Sequence, residues 1–208
     1  MEQFVTGLEE LLTKLASAQD SDTIRQATST LSTQFYVSAN CIPALVQIIS
    51  RSPHHPVRQL AAVELRKRIS KKWQEIPDEA QVEIRAQLLQ MALNEQHEIV
   101  RHSTARVISS IARIDVPENK WPELLGFLNQ ACASTTAIHR EVGTYCLYTL
   151  FEVIADFFMD HTAPLYDLFS KAIVDPESKR VRKTTVLTLG KLAEFIETDD
   201  KENIVSLT

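Results

Sequence analysis

The sequence predicts an all-α protein, a solenoid of stacked helical hairpins, and three observations carry that prediction. Five arginines recur along the chain: Arg25, Arg58, Arg101, Arg140 and Arg182 lie 33, 43, 39 and 42 residues apart. Seven positions after four of them stands an aliphatic residue, at Leu65, Ile108, Leu147 and Leu189. The 208 residues include only four glycines, which argues against the tight turns of a β-rich fold. A spacing of about forty residues with an apolar seven-step marks paired helices that bury their apolar faces by stacking on neighbours.

Each repeat is expected to hold an A helix, a turn and a B helix. The first A helix carries Phe4, Leu8, Leu11, Leu12 and Leu15 at three- and four-residue steps, one apolar stripe. Its B helix should begin after Asp20-Ser21-Asp22, whose short polar side chains cap free backbone N–H groups, and should turn Ile24, Ala27, Leu31 and Phe35 to the core. In the second hairpin Pro43 falls in the first helical turn, where a missing N–H costs nothing, and Ile42, Leu45, Val46 and Ile49 form the stripe. The turn Ser52-Pro53-His54-His55-Pro56 stops one helix and prepares the next.

The third A helix should bury Val82, Ile84, Leu88, Leu89, Ala92 and Leu93. Pro117 and Pro122 frame the start of the fourth, with Leu124, Leu125, Phe127 and Leu128, and Trp121 folds back as a hydrophobic staple. The fourth B helix is long and rich in large side chains, from Tyr145 and Leu147 through Leu150, Phe151, Ile154, Phe157 and Phe158. Pro164 opens the fifth A helix, Asp175-Pro176 closes it, and the last B helix should end near Ile196. The expected repeats are thus 1–37, 39–73, 77–115, 117–160 and 162–197, with 198–208 a charged linker and the start of a further helix. An apolar Ile204, Val205 and Leu207 where a solenoid wants a polar cap points to an N-terminal piece of a longer protein.

A formal net charge of −5 argues against nucleic-acid binding by the chain as a whole and suits basic partners. Cys41, Cys132 and Cys146 share no metal-ligand spacing and read as small apolar side chains in a reducing compartment. The start, Met1-Glu2-Gln3-Phe4, lacks a basic stretch leading into an apolar run, and no membrane span is expected.

No catalytic or metal-binding constellation is found. His97 and His102 stand five apart, which is not the step that shares a helix face, and His54-His55 reads as a solvated turn. Glu9-Glu10 and Asp199-Asp200 are adjacent pairs that diverge by about 100° on a helix. Enzymatic activity, cofactor and metal are therefore not expected. The cluster Arg66-Lys67-Arg68-Ile69-Ser70-Lys71-Lys72-Trp73 has two readings: cations at a helix C-terminus, or a docking patch anchored by Trp73. Lys179-Arg180-Val181-Arg182-Lys183 opens a B helix, where the dipole disfavours positive charge. The recurring arginines are expected to bond carbonyls or an acidic group of the neighbouring repeat.

Val57-Arg58-Gln59-Leu60-Ala61-Ala62-Val63-Glu64-Leu65-Arg66-Lys67-Arg68-Ile69, followed by Lys72-Trp73, resembles the second repeat of the importin-β (karyopherin-β) nuclear transport receptors. Leu31-Ser32-Thr33-Gln34-Phe35-Tyr36, Val100-Arg101-His102-Ser103-Thr104-Ala105-Arg106-Val107-Ile108 and Lys120-Trp121-Pro122-Glu123-Leu124-Leu125 extend the resemblance in order, closest to the importin-4 branch with its fungal members.

The resemblance implies about five HEAT repeats at the start of a receptor of about twenty. It implies Ran-GTP on the inner B helices and Phe-Gly nucleoporins on the outer A helices, in a receptor shuttling between cytoplasm and nucleus. Basic cargo, histones H3 and H4 and ribosomal proteins, would sit mostly on later repeats. Helical phase then offers Gln59, Arg66, Lys67, Ser70, His102, Arg106, Ser109 and Arg113 as Ran contacts. A scaffold subunit of another complex, or a HEAT-like DNA glycosylase, are the competing readings.

Overall fold

A computed structural model describes the backbone of residues 1–159 and 162–206 and the side chains of 1–151, 165 and 167–194. Ten α-helices follow one another, and no strand occurs among the described residues. They are α1 (Glu2–Ser17), α2 (Ser21–Thr30), α3 (Cys41–Arg51), α4 (His55–Lys72), α5 (Asp78–Asn94), α6 (Glu98–Asp115), α7 (Glu123–Cys132), α8 (Ala137–Met159), α9 (Thr162–Ala172) and α10 (Lys179–Ser206). The chain divides into two compact units, Met1–Ile111 and Ala112–Thr208.

In the first unit α1 packs on α2, α3 and α4, and α3 packs on α4 and α5. The α1 stripe holds, with Leu8 and Leu12 fully buried. Asp20 caps α2 by accepting the Thr23 N–H at 2.7 Å, as its short side chain suggests. One wider turn follows over Leu31–Phe35, closed by Tyr36 N–H on the Leu31 carbonyl. This π-type turn swings Phe35 onto α1, where its ring meets Phe4 at 4.9 Å. Gly7 permits the approach: a Cβ there would stand 3.1 Å from the Phe35 ring. Ile24, expected in the core, is exposed, whereas Ala27 and Leu31 are buried.

The α3 stripe, Ile42, Leu45, Val46 and Ile49, is buried as a block. Ser52, forced into extended conformation by Pro53, ends the helix. Along α4, Val57, Ala61, Leu65 and Ile69 are buried; full burial of each large aliphatic side chain contributes about 2 kcal/mol. Trp73 is 1 % exposed and belongs to the core, so of the two readings of the basic cluster the docking patch loses its anchor.

The inward face of α5 also differs from the one read from sequence. Val82 is exposed, while Gln81 and Arg85 are buried beside Ile84, Leu88, Leu89 and Ala92. Gln81 turns in because its amide donates to the Trp73 and Ile76 carbonyls at 2.9 and 3.0 Å. The Trp73 carbonyl also accepts the Ile76 N–H at 3.1 Å, so the Gln81 amide ties the 3-10 turn Trp73–Glu75 to the start of α5.

In the second unit α7 packs on α8, and α8 on α9 and α10. Trp121 is buried ahead of α7, together with Leu124 and Leu128. Asn119, at φ 54°, makes the left-handed turn that leads out of α6. The α7–α8 contact needs Gly143, since a Cβ there would lie 2.6 Å from Cys132 Sγ and 2.8 Å from its backbone N. All three cysteines are free; burial pushes the Cys132 thiol up to about 12 and raises Cys41 and Cys146 as well. The sequence places a linker from residue 198, yet α10 continues to Ser206. That charged stretch contains neither glycine nor proline, and nothing in it stops a helix. The side chains of Ile154, Phe157, Phe158, Pro164, Ile196, Ile204, Val205 and Leu207 lie outside the described residues.

Candidate functional site

Two arginine clamps organise the turns between helices, one in each unit. In the first, Arg58 of α4 forms a two-pronged bond to Glu95: Nε to Oε2 at 2.8 Å and Nη2 to Oε1 at 2.9 Å. Its Nη1 donates to the Ser52 carbonyl at 2.9 Å. Glu95 lies in the α5–α6 turn, where its Oε1 also accepts the His97 N–H, and Arg101 grips its main-chain carbonyl at 3.1 Å. The His55 and His97 rings stack at 4.1 Å beside this turn.

In the second, Arg140 of α8 holds Asp175 through Nε and Nη2 at 2.6 and 3.2 Å. Nη1 donates to the Ser134 and Thr135 carbonyls, and Nη2 also reaches Glu177 Oε2 at 2.8 Å. Asp175 Oδ1 accepts the N–H groups of Glu177 and Ser178, and Arg182 donates to its carbonyl. Each turn carboxylate is thus held twice, by the preceding B helix through its side chain and by its own B helix through its backbone. These contacts realise the role expected of the recurring arginines, a bond to carbonyls and to an acid of the next repeat.

Arg25 departs from that role: its side chain is 81 % exposed and stands 4.0 Å from a still more exposed Asp22. Arg58, Arg101, Arg140 and Arg182 are each the fourth residue of their helix, whereas Arg25 is the fifth of α2. One residue rotates a helical side chain by about 100°, enough to carry it off the packed edge.

The electrostatics of the clamps follow their geometry. The Arg140 bond, opposed by burial and aided by two backbone N–H groups, holds the Asp175 carboxyl at about 2, well below its ordinary 3.8. Burial works to raise Glu95, but the Arg58 bond, the His97 N–H and the Arg58 charge together keep it lowered. Beside each clamp an open groove runs between successive A helices. The α3–α5 groove, about 700 Å³, is walled by Ile49, Met91 and Val100 with Gln90 and Asn94 at its edge. The α7–α9 groove, about 870 Å³, is walled by Cys132, Leu168, Ala172 and Val181, with Asp167 and Lys171 paired across its rim at 2.6 Å.

The eight residues offered from helical phase have mixed fates. On α4, Arg66, Lys67 and Ser70 are exposed and Gln59 is half-buried. On α6, Arg106 and Arg113 are exposed and His102 is half-buried. Ser109 is a correction: it is buried, and its hydroxyl donates back to the Ala105 carbonyl at 3.0 Å, so it presents nothing to a partner. Within the basic cluster, Arg68 bonds Glu64 at 2.8 Å and lies over the Tyr36 ring at 3.7 Å, and Lys72 donates to the Val37 carbonyl. Burial, with the nearby Glu64 charge, raises the Tyr36 phenol. Lys67 pairs with Glu64 while Arg66 and Lys71 point outward, so the cluster is structural at one edge and open at the other. In the second cluster, Ser178 caps α10 and Arg180 approaches Glu141 at 3.8 Å, which offsets the unfavourable dipole.

Sequence reasoning led to grooves between neighbouring A helices but named neither the residues that wall them nor the turn acids. The acids leave a faint signal, an acidic residue six or seven positions before alternate arginines, at Glu95 and Asp175. The groove walls leave none, because they are shared between helices about one repeat apart.

Paired helices held by turn clamps, with open grooves between A helices, define a helical-repeat protein. Residues 27–94 match the family described as the importin-beta N-terminal domain, and residues 96–207 match the one described as IPO5-like, TPR repeats. The chain belongs to the importin-β family. It is 38 % identical over 152 residues to a probable importin subunit beta-4 of Schizosaccharomyces pombe, covering 73 % of this chain and 14 % of that protein. Among solved structures it is similar to Kap121p bound to Nup53p, at a TM-score of 0.74 and 23 % identity over 90 % of this chain and 18 % of that one. Kap121p bound to RanGTP gives a TM-score of 0.72 at 23 % identity, over 90 % of this chain and 17 % of that one. The chain therefore spans less than a fifth of the length of these relatives. The helical-repeat architecture expected from sequence is the one these karyopherins share.

Proposed function

We propose that this chain is the N-terminal part of a nuclear import receptor that works by binding rather than by reaction, without cofactor or metal. Five consecutive hairpin repeats present the B helices to Ran-GTP and the A helices to Phe-Gly nucleoporins. Histones H3 and H4, ribosomal proteins and other basic cargo bind mainly to later repeats of the full receptor, which shuttles between cytoplasm and nucleus. GTP hydrolysis belongs to Ran. The observation that carries this reading is the family match along the chain, joined to a shared fold with a karyopherin solved with RanGTP and with Nup53p.

Physical chemistry supports the assignment of surfaces. Arg66, Lys67, Ser70, Arg106 and Arg113 are exposed polar groups on the second and third B helices, suited to an acidic GTPase surface, with Gln59 and His102 half-buried beside them. Of the two A-helix grooves, the α7–α9 one suits an uncharged Phe-Gly side chain, because its walls are apolar and its arginine is fully engaged. Competition between Ran and cargo would require each to weaken the other's affinity by the same factor.

The test is capture of Ran loaded with GTP or GDP by the full receptor and by this chain. The reading expects the full receptor to retain Ran-GTP and release Ran-GDP, and Arg66→Glu with Lys67→Glu to weaken that capture at least tenfold. Equal capture of both nucleotide forms would remove the receptor reading. Unchanged affinity of the double variant would remove only the α4 patch.

A further inference from the structure

The two clamps use their guanidinium groups unequally. Arg140 spends all five N–H bonds: one from Nε to Asp175, two from Nη1 to the Ser134 and Thr135 carbonyls, and two from Nη2 to Asp175 and Glu177. Arg58 spends three, two on Glu95 and one on the Ser52 carbonyl, which leaves two without a partner among the described residues. The difference traces to one position. Glu177 stands two residues after Asp175, and the residue two after Glu95 is His97, whose ring stacks on His55 instead of accepting from Arg58. Ser52 adds a second unmet group: it is 4 % exposed, it lines the same groove, and its hydroxyl bonds nothing among the described residues. The counterpart hydroxyl of Ser134 accepts the Thr136 N–H and meets His139 Nδ1 at 3.1 Å.

We infer that the α3–α5 groove is a binding site for an acidic peptide segment of a protein partner, whose aspartate or glutamate side chain bonds Arg58 as Glu177 bonds Arg140. The ligand must be an acceptor, because guanidinium N–H groups only donate. A planar carboxylate matches the fork geometry of guanidinium. A phosphate, with nearly twice the charge, would face Glu95 at close range and is disfavoured. Ile49, Met91 and Val100 offer an apolar wall for a neighbouring side chain, and the Gln90 and Asn94 amides can both give to and accept from a peptide backbone. The site thus takes an apolar residue next to an acidic one, and it goes beyond the Ran and Phe-Gly surfaces proposed above.

The experiment is titration of the nitrogen-15-labelled 208-residue chain, followed through the Arg58 Nε–H resonance. The probes are acetyl-glycyl-leucyl-aspartyl-glycine amide and its asparaginyl counterpart. The aspartyl peptide is expected to shift the Arg58 signal and the amides of residues 49–58 and 86–104, and to bind at least fivefold tighter than the asparaginyl one. In His97→Glu the protein supplies the acceptor itself, so peptide binding should fall at least fivefold; His97→Gln, without the charge, should keep it. Equal affinity for the two peptides, shifts confined to other parts of the chain, or undiminished binding by His97→Glu would each overturn the proposal.

Discussion

The clamps of Arg58 and Arg140 share a plan and differ in completeness. Both arginines are the fourth residue of a B helix, and both bind a serine carbonyl of their own turn and a carboxylate of the next. The second is closed: Asp175 is 4 % exposed as a side chain, and Glu177 adds a further carboxylate. The first is more open, with Glu95 at 11 % and His97 where the second carboxylate would be. A recurring residue therefore fixes where a stack is bolted, and its non-recurring neighbours decide whether the bolt is sealed or still able to take a ligand.

Removing the acids breaks the comparison most sharply. Asp175→Ala takes two bonds from a mostly buried guanidinium and leaves the Glu177 and Ser178 N–H groups ahead of α10 unmet, and should cost about 3 kcal/mol. Glu95→Ala, with fewer bonds lost, should cost about 2 kcal/mol. Amide hydrogen exchange, read separately in the two units, would check the order, and an equal loss would show that completeness does not matter.

Acid comes next in size. Asp175 titrates near 2 when folded and 3.8 as its reference, so its contribution is complete above about pH 4 and disappears as pH falls toward 2. That difference corresponds to about 2 kcal/mol. Glu95, lowered from 4.5, loses its contribution in the same direction below that value. Urea unfolding between pH 5 and pH 2, compared with Asp175→Asn, should show a steeper fall for the wild type.

The third contrast lies three residues beyond each clamp arginine. The first unit has Ala61 there and the second has Gly143, both buried. Gly143→Ala drives a methyl into the Cys132 backbone and should cost about 1.5 kcal/mol. Ala61→Gly, which clashes with nothing, should cost about 1 kcal/mol through helix propensity. Thermal unfolding of both variants checks the pair. The smallest effect belongs to Arg25, outside any clamp: Arg25→Ala should shift stability by less than about 0.5 kcal/mol in the same assay.

The sequence made the clamps legible in outline, because a side chain that holds neighbouring repeats must recur with them. Arg25 was grouped with the other four, although the 33 residues that follow it are fewer than the 39 to 43 between the rest. Apolar stripes on α1 and α3 were legible for the same periodic reason. The inward turn of Gln81 was not, since backbone carbonyls demand it and no sequence pattern marks them. Trp73 kept a docking reading open because it follows five cations, although its own surface is packed. Ser109 misled because helical phase gives a direction and not a depth. The lining of the grooves stayed invisible because the identity of Met91 says nothing about the space beside Ile49.

Turn acids occur in every other hairpin: Glu95 and Asp175 alternate with Ser52 and Ser134. Duplicating or deleting a single hairpin would bring a guanidinium against a serine hydroxyl where it needs an anion. Whole pairs could be gained or lost with every fastening intact. The practical module for grafting, shuffling or lengthening such an array is therefore two hairpins, and junctions cut between pairs should be the ones that heal.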